Sequence, residues 1–290
     1  MTLKPPVLLQ AELPTRELRH LSFRQFSPHP SLKHWIQSYW SVSLKHKLKY
    51  RKSEKLYPDG CTSLSFAFTQ PIEQRVSSTT LTNSCEGTFS ATHTLSKMFF
   101  DDPCEFFGVR FYPGGAFKLL GLPVSELKEK IYNAKDLLLT GYSQLEVKLA
   151  HSKTIQERVK SMDSWLLDQA NRLQPNIGAT QILSQKLQQE NTSLNKLISG
   201  LNSSRRTIER KFSLEVGMPP GQLKNLLRIR NSRQLIKFKF DASLTDIAHL
   251  CGYYDQAHFN RQFYTVVGET PGEYKTRQNQ RLNRGELDPA

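Results

Sequence analysis

The sequence has no apolar run near the roughly 18 residues that a membrane helix needs, so neither a membrane span nor a membrane partner is expected. Cysteine is scarce: four residues, at 61, 85, 104 and 251, with no CxxC pair. That spacing argues against a disulfide frame or a cysteine zinc site and reads as reduced thiols in a cytoplasmic protein. His29, His34, His46 and His93 are scattered without ligand spacing, so no metal is expected in the front half. There is no G-x-S-x-G elbow for a Ser-His-Asp hydrolase, no solenoid repeat and no low-complexity segment. The opening "MTLKPPVLLQAELPTRELRH" has only a short apolar run broken by proline and charge, which argues against a signal peptide. Acidic residues are also short, 26 against 40 Lys and Arg, a net charge of +14. This surplus favours an anionic partner, nucleic acid before a membrane surface. After Leu173 there are about 17 basic and 10 acidic residues, so the surplus is mildly concentrated at the C-terminal end.

What is present changes character along the chain. Residues 1–112 read mainly as strands, "WIQSYWSVSL", "CTSLSFAF" and "CEFFGVRFY" being rich in aromatic and β-branched residues. Pro-Asp-Gly at 58–60 and Pro-Gly-Gly at 113–115 mark turns. Helical spacings follow, ending in a long helix over 154–173 whose stripe is Ile155, Val159, Met162, Leu166 and Leu173. That stripe either packs on its own domain or pairs two copies of the chain. "QPN" at 174–176 breaks it and sets the expected boundary between domains 1–174 and 175–290.

Beyond the boundary every segment reads as helix. Two units share one plan: a short helix starting at serine, a tight turn, a second helix with a phenylalanine at its middle, and a glycine after it. This is a helix-turn-helix written twice and joined by one long helix. In the first unit Ile208, Phe212 and Val216 fall four apart. In the second, Ile247, Ala248, Phe259 and Phe263 are the apolar glue, and Gln256, Ala257, Asn260 and Arg261 then face outward. Gln and Asn suit adenine edges and Arg suits guanine, and such helices present their N-terminal ends to the major groove. A metal reading of His249, Cys251 and His258 fares worse, because the three do not converge on one point. Cys251 reads as a small apolar filler.

"SLTDIAHLCGYYDQAHFNRQFYTVVGETPGEYK" resembles the signature of the AraC/XylS family of transcription regulators, with Gly252, Phe259, Arg261, Phe263, Gly268, Thr270-Pro271 and Tyr274 in register. The similarity runs from near Asn176 to Arg277. One departure is Tyr254, where the family has a small polar residue; Asp255 is the alternative cap. The resemblance implies double-stranded DNA and RNA polymerase as partners, a nucleoid-associated location, no cofactor and no enzymatic activity. It also implies that Arg205, Arg206, Thr207, Glu209 and Arg210 are the first unit's reading residues. Arg228, Arg230, Arg233, Lys237 and Lys239 of the joining helix divide between phosphate contacts and plain solvation.

The front half, through "SPHPSLKHWIQSYWSV", "LYPDGCTSLSF" and "GVRFYPGGAFKLLGLP", resembles a sensor-type domain found ahead of the reader in part of that family. The implied fold is α+β: an N-terminal β-barrel-like domain with trailing helices, then an all-α domain. Control would come from a small-molecule effector or from dimerisation. Alternation in "CEFFGVRFY" puts Phe107, Val109 and Phe111 on one face and Phe106, Arg110 and Tyr112 on the other. If the second face lines a barrel, Arg110 anchors an acidic or phosphorylated ligand; otherwise it is a surface or ion-paired arginine. A second reading is a DNA-alkylation-repair-type enzyme fused to the same reader. It expects four cysteines in the front half, and only Cys61, Cys85 and Cys104 are there.

Overall fold

A computed structural model describes residues 21–47, 52–69, 72–76, 79–83, 87–91, 93–100, 103–189, 192–238 and 241–283. Residues 1–20, Cys85 and Lys239, on which expectations above fell, lie outside the described residues.

The apolar strands read from the sequence become β2 (Ile36–Leu44), β4 (Thr62–Ala67) and β9 (Cys104–Phe111). They form the centre of a six-stranded antiparallel sheet, flanked by β1 (Arg24–Phe26), β7 (Thr88–Ser90) and β10 (Ile131–Asn133) in the order β1-β2-β9-β4-β7-β10. A second sheet has the order β3-β8-β5-β6: β3 (Lys52–Leu56), β8 (Ser96–Phe100), β5 (Ile72–Val76) and β6 (Thr79–Asn83). Three of these strands are polar, "KSEKL", "IEQRV" and "TTLTN", and carry little of the apolar alternation that marked the first sheet. Among the described residues the two sheets do not join into one closed barrel, so "barrel-like" describes the front half only loosely.

The alternation on β9 determines what packs on each face. Phe107, Val109 and Phe111 turn to the main core with Tyr39, Leu64 and Phe89, and are covered by helices α1 (Gly115–Leu120), α3 (Tyr142–His151) and α4 (Ile155–Leu173). Phe106 turns to the opposite face and joins Leu21, Val42, Leu44, Ala67 and Cys104 in a smaller cluster, with Met98 of β8 against it. On α4, Met162 and Leu166 are fully buried in that main core and Ile155 and Val159 pack against it, while Leu173 stays partly exposed. The stripe that could have paired two copies is therefore used within the chain; each such burial contributes roughly 1.5–3 kcal/mol. A capping box of Thr154 and Glu157 starts α4, and Gln174 ends it in the left-handed conformation, just before Pro175.

The remaining helices are α5 (Ala179–Gln189), α6 (Leu194–Ser199), α7 (Arg205–Val216), α8 (Pro220–Phe238), α9 (Leu244–Leu250), α10 (Gln256–Val267) and α11 (Pro271–Asn283). They enclose a separate core of Leu197, Ile208, Phe212, Leu223, Leu227, Ile247, Phe259, Phe263 and Tyr274. Between the front sheets and these helices runs a seam made largely of charge and close backbone contact. Short α2 (Val124–Leu127) and α1 meet α7. Lys118 pairs with Glu215 at 3.8 Å, and Lys55 with Glu269 at 2.9 Å.

Gly217 closes α7 with φ +82° directly on this seam, where an added Cβ would lie 2.6 Å from His93 Cε1 and 3.2 Å from the Val124 carbonyl oxygen. Gly121 closes α1 with φ +72° and nothing within 4 Å of such a Cβ. Gly121→Ala is therefore expected to cost about 1 kcal/mol, the left-handed penalty alone, and Gly217→Ala at least about 2 kcal/mol. Urea denaturation of the two variants measures the difference, and equal costs would mean the seam yields freely at Gly217.

Candidate nucleic-acid interface

The two units follow the same local rules position by position. Ser193 caps α6 and Ser243 caps α9, each accepting from the backbone N–H three residues on. Ser204 caps α7 in the same way, and Asp255, not the departing Tyr254, caps α10. Both second helices have 12 residues and end at a left-handed glycine, Gly217 and Gly268. Their fourth, eighth and twelfth residues, Ile208, Phe212 and Val216 in one and Phe259, Phe263 and Val267 in the other, are buried.

At 3.6 residues per turn that inward stripe fixes the opposite face. The second and sixth positions point directly away: Arg206 and Arg210 in α7, Ala257 and Arg261 in α10, all exposed. The fifth, Glu209 and Asn260, lies on the flank and is half-buried. The Asn260 Oδ1 is turned inward and lacks a hydrogen-bond partner, so this side chain projects less freely than the sequence pattern implied. The first, Arg205 and Gln256, shares the side of the packed stripe but stands beyond the helix end and is exposed. Thr207 is tied into the cap through its hydroxyl, 2.9 Å from that of Ser204. His258, weighed above as a metal ligand, is exposed with its ring edge against Tyr253. The positive end of each helix dipole adds to this basic surface.

The joining helix α8 corrects an expectation. Arg228 donates to the carbonyl oxygens of Cys251 and Gly252 and lies 3.7 Å over the Tyr253 ring, so it closes the end of α9. Arg233 lies 3.4 Å over the Tyr57 ring of the front half, and Arg230 is largely buried, 4.0 Å from Asp59. These three arginines are engaged within the chain instead of standing as plain solvated charge. Arg110 takes the ion-paired role of the two expected for it. Its Nη2 donates to Asp59 at 2.6 Å and its Nε to Gln37 at 2.7 Å, so it joins the seam instead of anchoring a ligand. Burial would raise the Asp59 pKa, but Arg110, Arg230 and the Cys61 N–H together hold it below the usual carboxylate range.

Cys61 and Cys251 are buried, and burial pushes their thiols up to about 12 and about 11. His249 is exposed while Cys251 is buried, so the two do not share a face. Between β3, α8 and α11 lies a cavity of about 250 Å³ whose walls include Lys55, Lys97, Arg233, Arg277 and Arg281 with Glu54 and Glu269. Nothing in the sequence pattern marked it, because its walls come from segments some 200 positions apart.

The C-terminal helices form a paired helix-turn-helix domain. Residues 197–277 match a family described as a helix-turn-helix domain, and residues 24–133 one described as a domain of unknown function (DUF6597). Part of this chain also resembles curated transcriptional activators. It is 35% identical over 81 residues to the HTH-type transcriptional activator RhaS of Pectobacterium carotovorum, covering 28% of each chain. RhaS of Escherichia coli is 38% identical over 72 residues, covering 25% of this chain and 26% of that one. These matches thus span little more than a quarter of the relatives' length. Among solved structures, ToxT of Vibrio cholerae aligns with a TM-score of 0.40 at 12% identity, over 78% of this chain and 97% of that one. An AraC-type regulator of Chromobacterium violaceum aligns with a TM-score of 0.33 at 24% identity, over 35% and 93%.

Asp59 carries two arginines, so its removal takes the facing carboxylate from both, although Arg110 keeps Gln37. Asp59→Ala is expected to cost roughly 2–4 kcal/mol, at the lower side for a broken buried pair because Arg110 keeps some solvent. Asp59 is a carboxylate with a depressed folded pKa, so its contribution is present above the unfolded value near 3.8 and is lost as pH falls through the folded one. Melting the wild type and Asp59→Asn between pH 7 and 3 should show the two midpoints converging at the acid end.

Proposed function

We propose that this chain is a sequence-specific DNA-binding transcription regulator that divides into domains 1–174 and 175–290. The observation that carries the reading is the repeated geometry of α7 and α10, both offering their N-terminal ends with the same positions outward and both fixed to one helix, α8. Arg205, Arg206, Thr207, Glu209 and Arg210 read one short box; Gln256, Ala257, Asn260 and Arg261 read a second. Helices in successive major grooves stand about 34 Å apart, which separates the boxes by about 10 base pairs. The protein works in the cytoplasm at the nucleoid with RNA polymerase as its partner. This reading assigns it no enzymatic activity; burial pushes the Cys61 thiol up to about 12, which does not favour the reactive thiolate that the alkyl-transfer alternative needs.

Control is assigned to the seam instead of to pairing through α4, whose stripe is used internally. An effector, on this reading, is a small anion seated in the cavity between β3, α8 and α11, where cations outnumber carboxylates. It would touch the front half through Lys55 and Lys97 and the reader through Arg277.

Selection on random DNA with the full chain tests the two-box reading. Arg206→Ala and Asn260→Ala should each weaken the preferred site by roughly 1–3 kcal/mol and relax preference in different boxes. Binding should fall steeply with salt, and Arg210→Ala should lower that slope by about one phosphate while Arg230→Ala leaves it unchanged. Relaxation of both variants at the same bases, or at none, would remove the two-box reading.

A further inference from the structure

The first residue of each reading helix is held by the helix before it, and by the same position of that helix. Asn195 is the second residue of α6, and its Oδ1 accepts from Arg205 Nη1 at 3.1 Å. Thr245 is the second residue of α9, and its hydroxyl is 3.1 Å from Gln256 Oε1. Both turns have five residues, but α9 has seven residues against six in α6, so 11 against 10 positions separate the linked pair, and yet the link is kept. The side chains differ in chemistry, amide to guanidinium in one and hydroxyl to amide in the other. The geometry therefore repeats where the residues do not.

The helix wheel explains why this position alone is reachable. The first residue lies on the packed side of α7 or α10, one turn before the buried Ile208 or Phe259, so its side chain runs alongside the preceding helix. The second and sixth residues point away and have no such neighbour. Arg205 is held twice, since Glu209 Oε1 also accepts from its Nε at 2.9 Å. Its remaining N–H groups are left to face outward in one fixed plane. In the second unit the Thr245 hydroxyl donates to the Gln256 amide oxygen, or accepts from its nitrogen if the amide is turned over, so the link survives either orientation.

We infer that Asn195 and Thr245 are positioning residues that set the base preference of Arg205 and Gln256 without touching a base. This rests on the proposed reading of DNA by α7 and α10. Exposed hydrogen bonds of this kind add little to folding stability. Freezing a long side chain before contact, in contrast, removes an ordering cost that binding would otherwise carry. The effect should therefore appear in discrimination and not in stability.

The test is a selection on random DNA with the full chain as wild type, Asn195→Ala, Asn195→Asp, Thr245→Val and Thr245→Ser, with Arg205→Ala and Gln256→Ala as references. Asn195→Ala should broaden preference at the same bases as Arg205→Ala and leave the other box intact; Asn195→Asp, which keeps the acceptor, should restore it. Thr245→Val should broaden preference at the bases lost in Gln256→Ala, and Thr245→Ser should restore it. Affinity for the preferred site should drop roughly 2- to 10-fold, affinity for unrelated DNA should not change, and the melting midpoint should stay at the wild-type value. Unaltered preference in Asn195→Ala and Thr245→Val overturns the inference while leaving DNA reading in place. An equal loss on all sequences also overturns it, since it marks Asn195 and Thr245 as phosphate contacts. A wild-type chain that enriches no motif overturns the reading function itself, and the inference with it.

Discussion

The constraint on which the rest depends is the burial of three residues, four apart, on each reading helix. Phe259 lies 5.2 Å from the Tyr253 ring and 5.5 Å from Phe263, which in turn lies 5.5 Å from Tyr274. Four aromatic rings in line, from the turn, α10 and α11, fix the rotation of α10 about its own axis. Rotation decides everything that follows: which side chains leave the surface, which lie along the flank, and which can be touched by the preceding helix. In α7 the same rotation is set by Ile208, Phe212 and Val216 with less aromatic bulk. A change in the inward stripe would therefore alter the interface even though none of those residues reaches it.

How much of this was legible follows from where the information lies. Caps, turns and four-residue stripes are local, so the serine that starts the first helix of each unit and the alternative cap Asp255 could be read directly, as could the three apolar strands. The polar second sheet was not legible strand by strand, because "KSEKL" and "TTLTN" lack the apolar alternation that identifies a half-buried strand. The pattern divides the arginines of α8 between phosphate and plain solvation, because charge on a helix normally seeks one or the other. The partners of Arg233 and Arg230, Tyr57 and Asp59, lie more than 160 positions earlier, and no periodicity within α8 could reveal them. For Arg110 alternation assigns the face and leaves two roles open; the structure has the ion-paired one, and the carboxylate that meets it comes from the Pro-Asp-Gly turn, which no local pattern reveals.

That turn connects the two halves physically. Tyr57 stacks on Arg233, Asp59 binds Arg110 and faces Arg230, and Arg277 holds Glu269 next to Lys55. Such a seam differs from a greasy interface. Its pairs are directional and partly solvated, so they resist sliding strongly while each contributes modestly to net stability. A ligand that supplies or withdraws a charge in the adjoining cavity acts on the same set of groups.

The two ends of each reading helix are then treated oppositely. The C-terminal ends meet the front half: Gly217 abuts His93 and Val124, and a Cβ on Gly268 would lie 3.1 Å from Leu95. The N-terminal ends, with Arg205, Arg206, Gln256 and Ala257, stay exposed. A helix of 12 residues is about 18 Å long, so a small tilt at the gripped end becomes a displacement of an ångström or more at the free end. Two boxes one DNA turn apart tolerate little such displacement, because base-edge hydrogen bonds weaken steeply with misalignment. On the proposed reading the front half need not approach DNA to govern it, since a tilt of both helices set from behind would decide whether their tips match successive grooves.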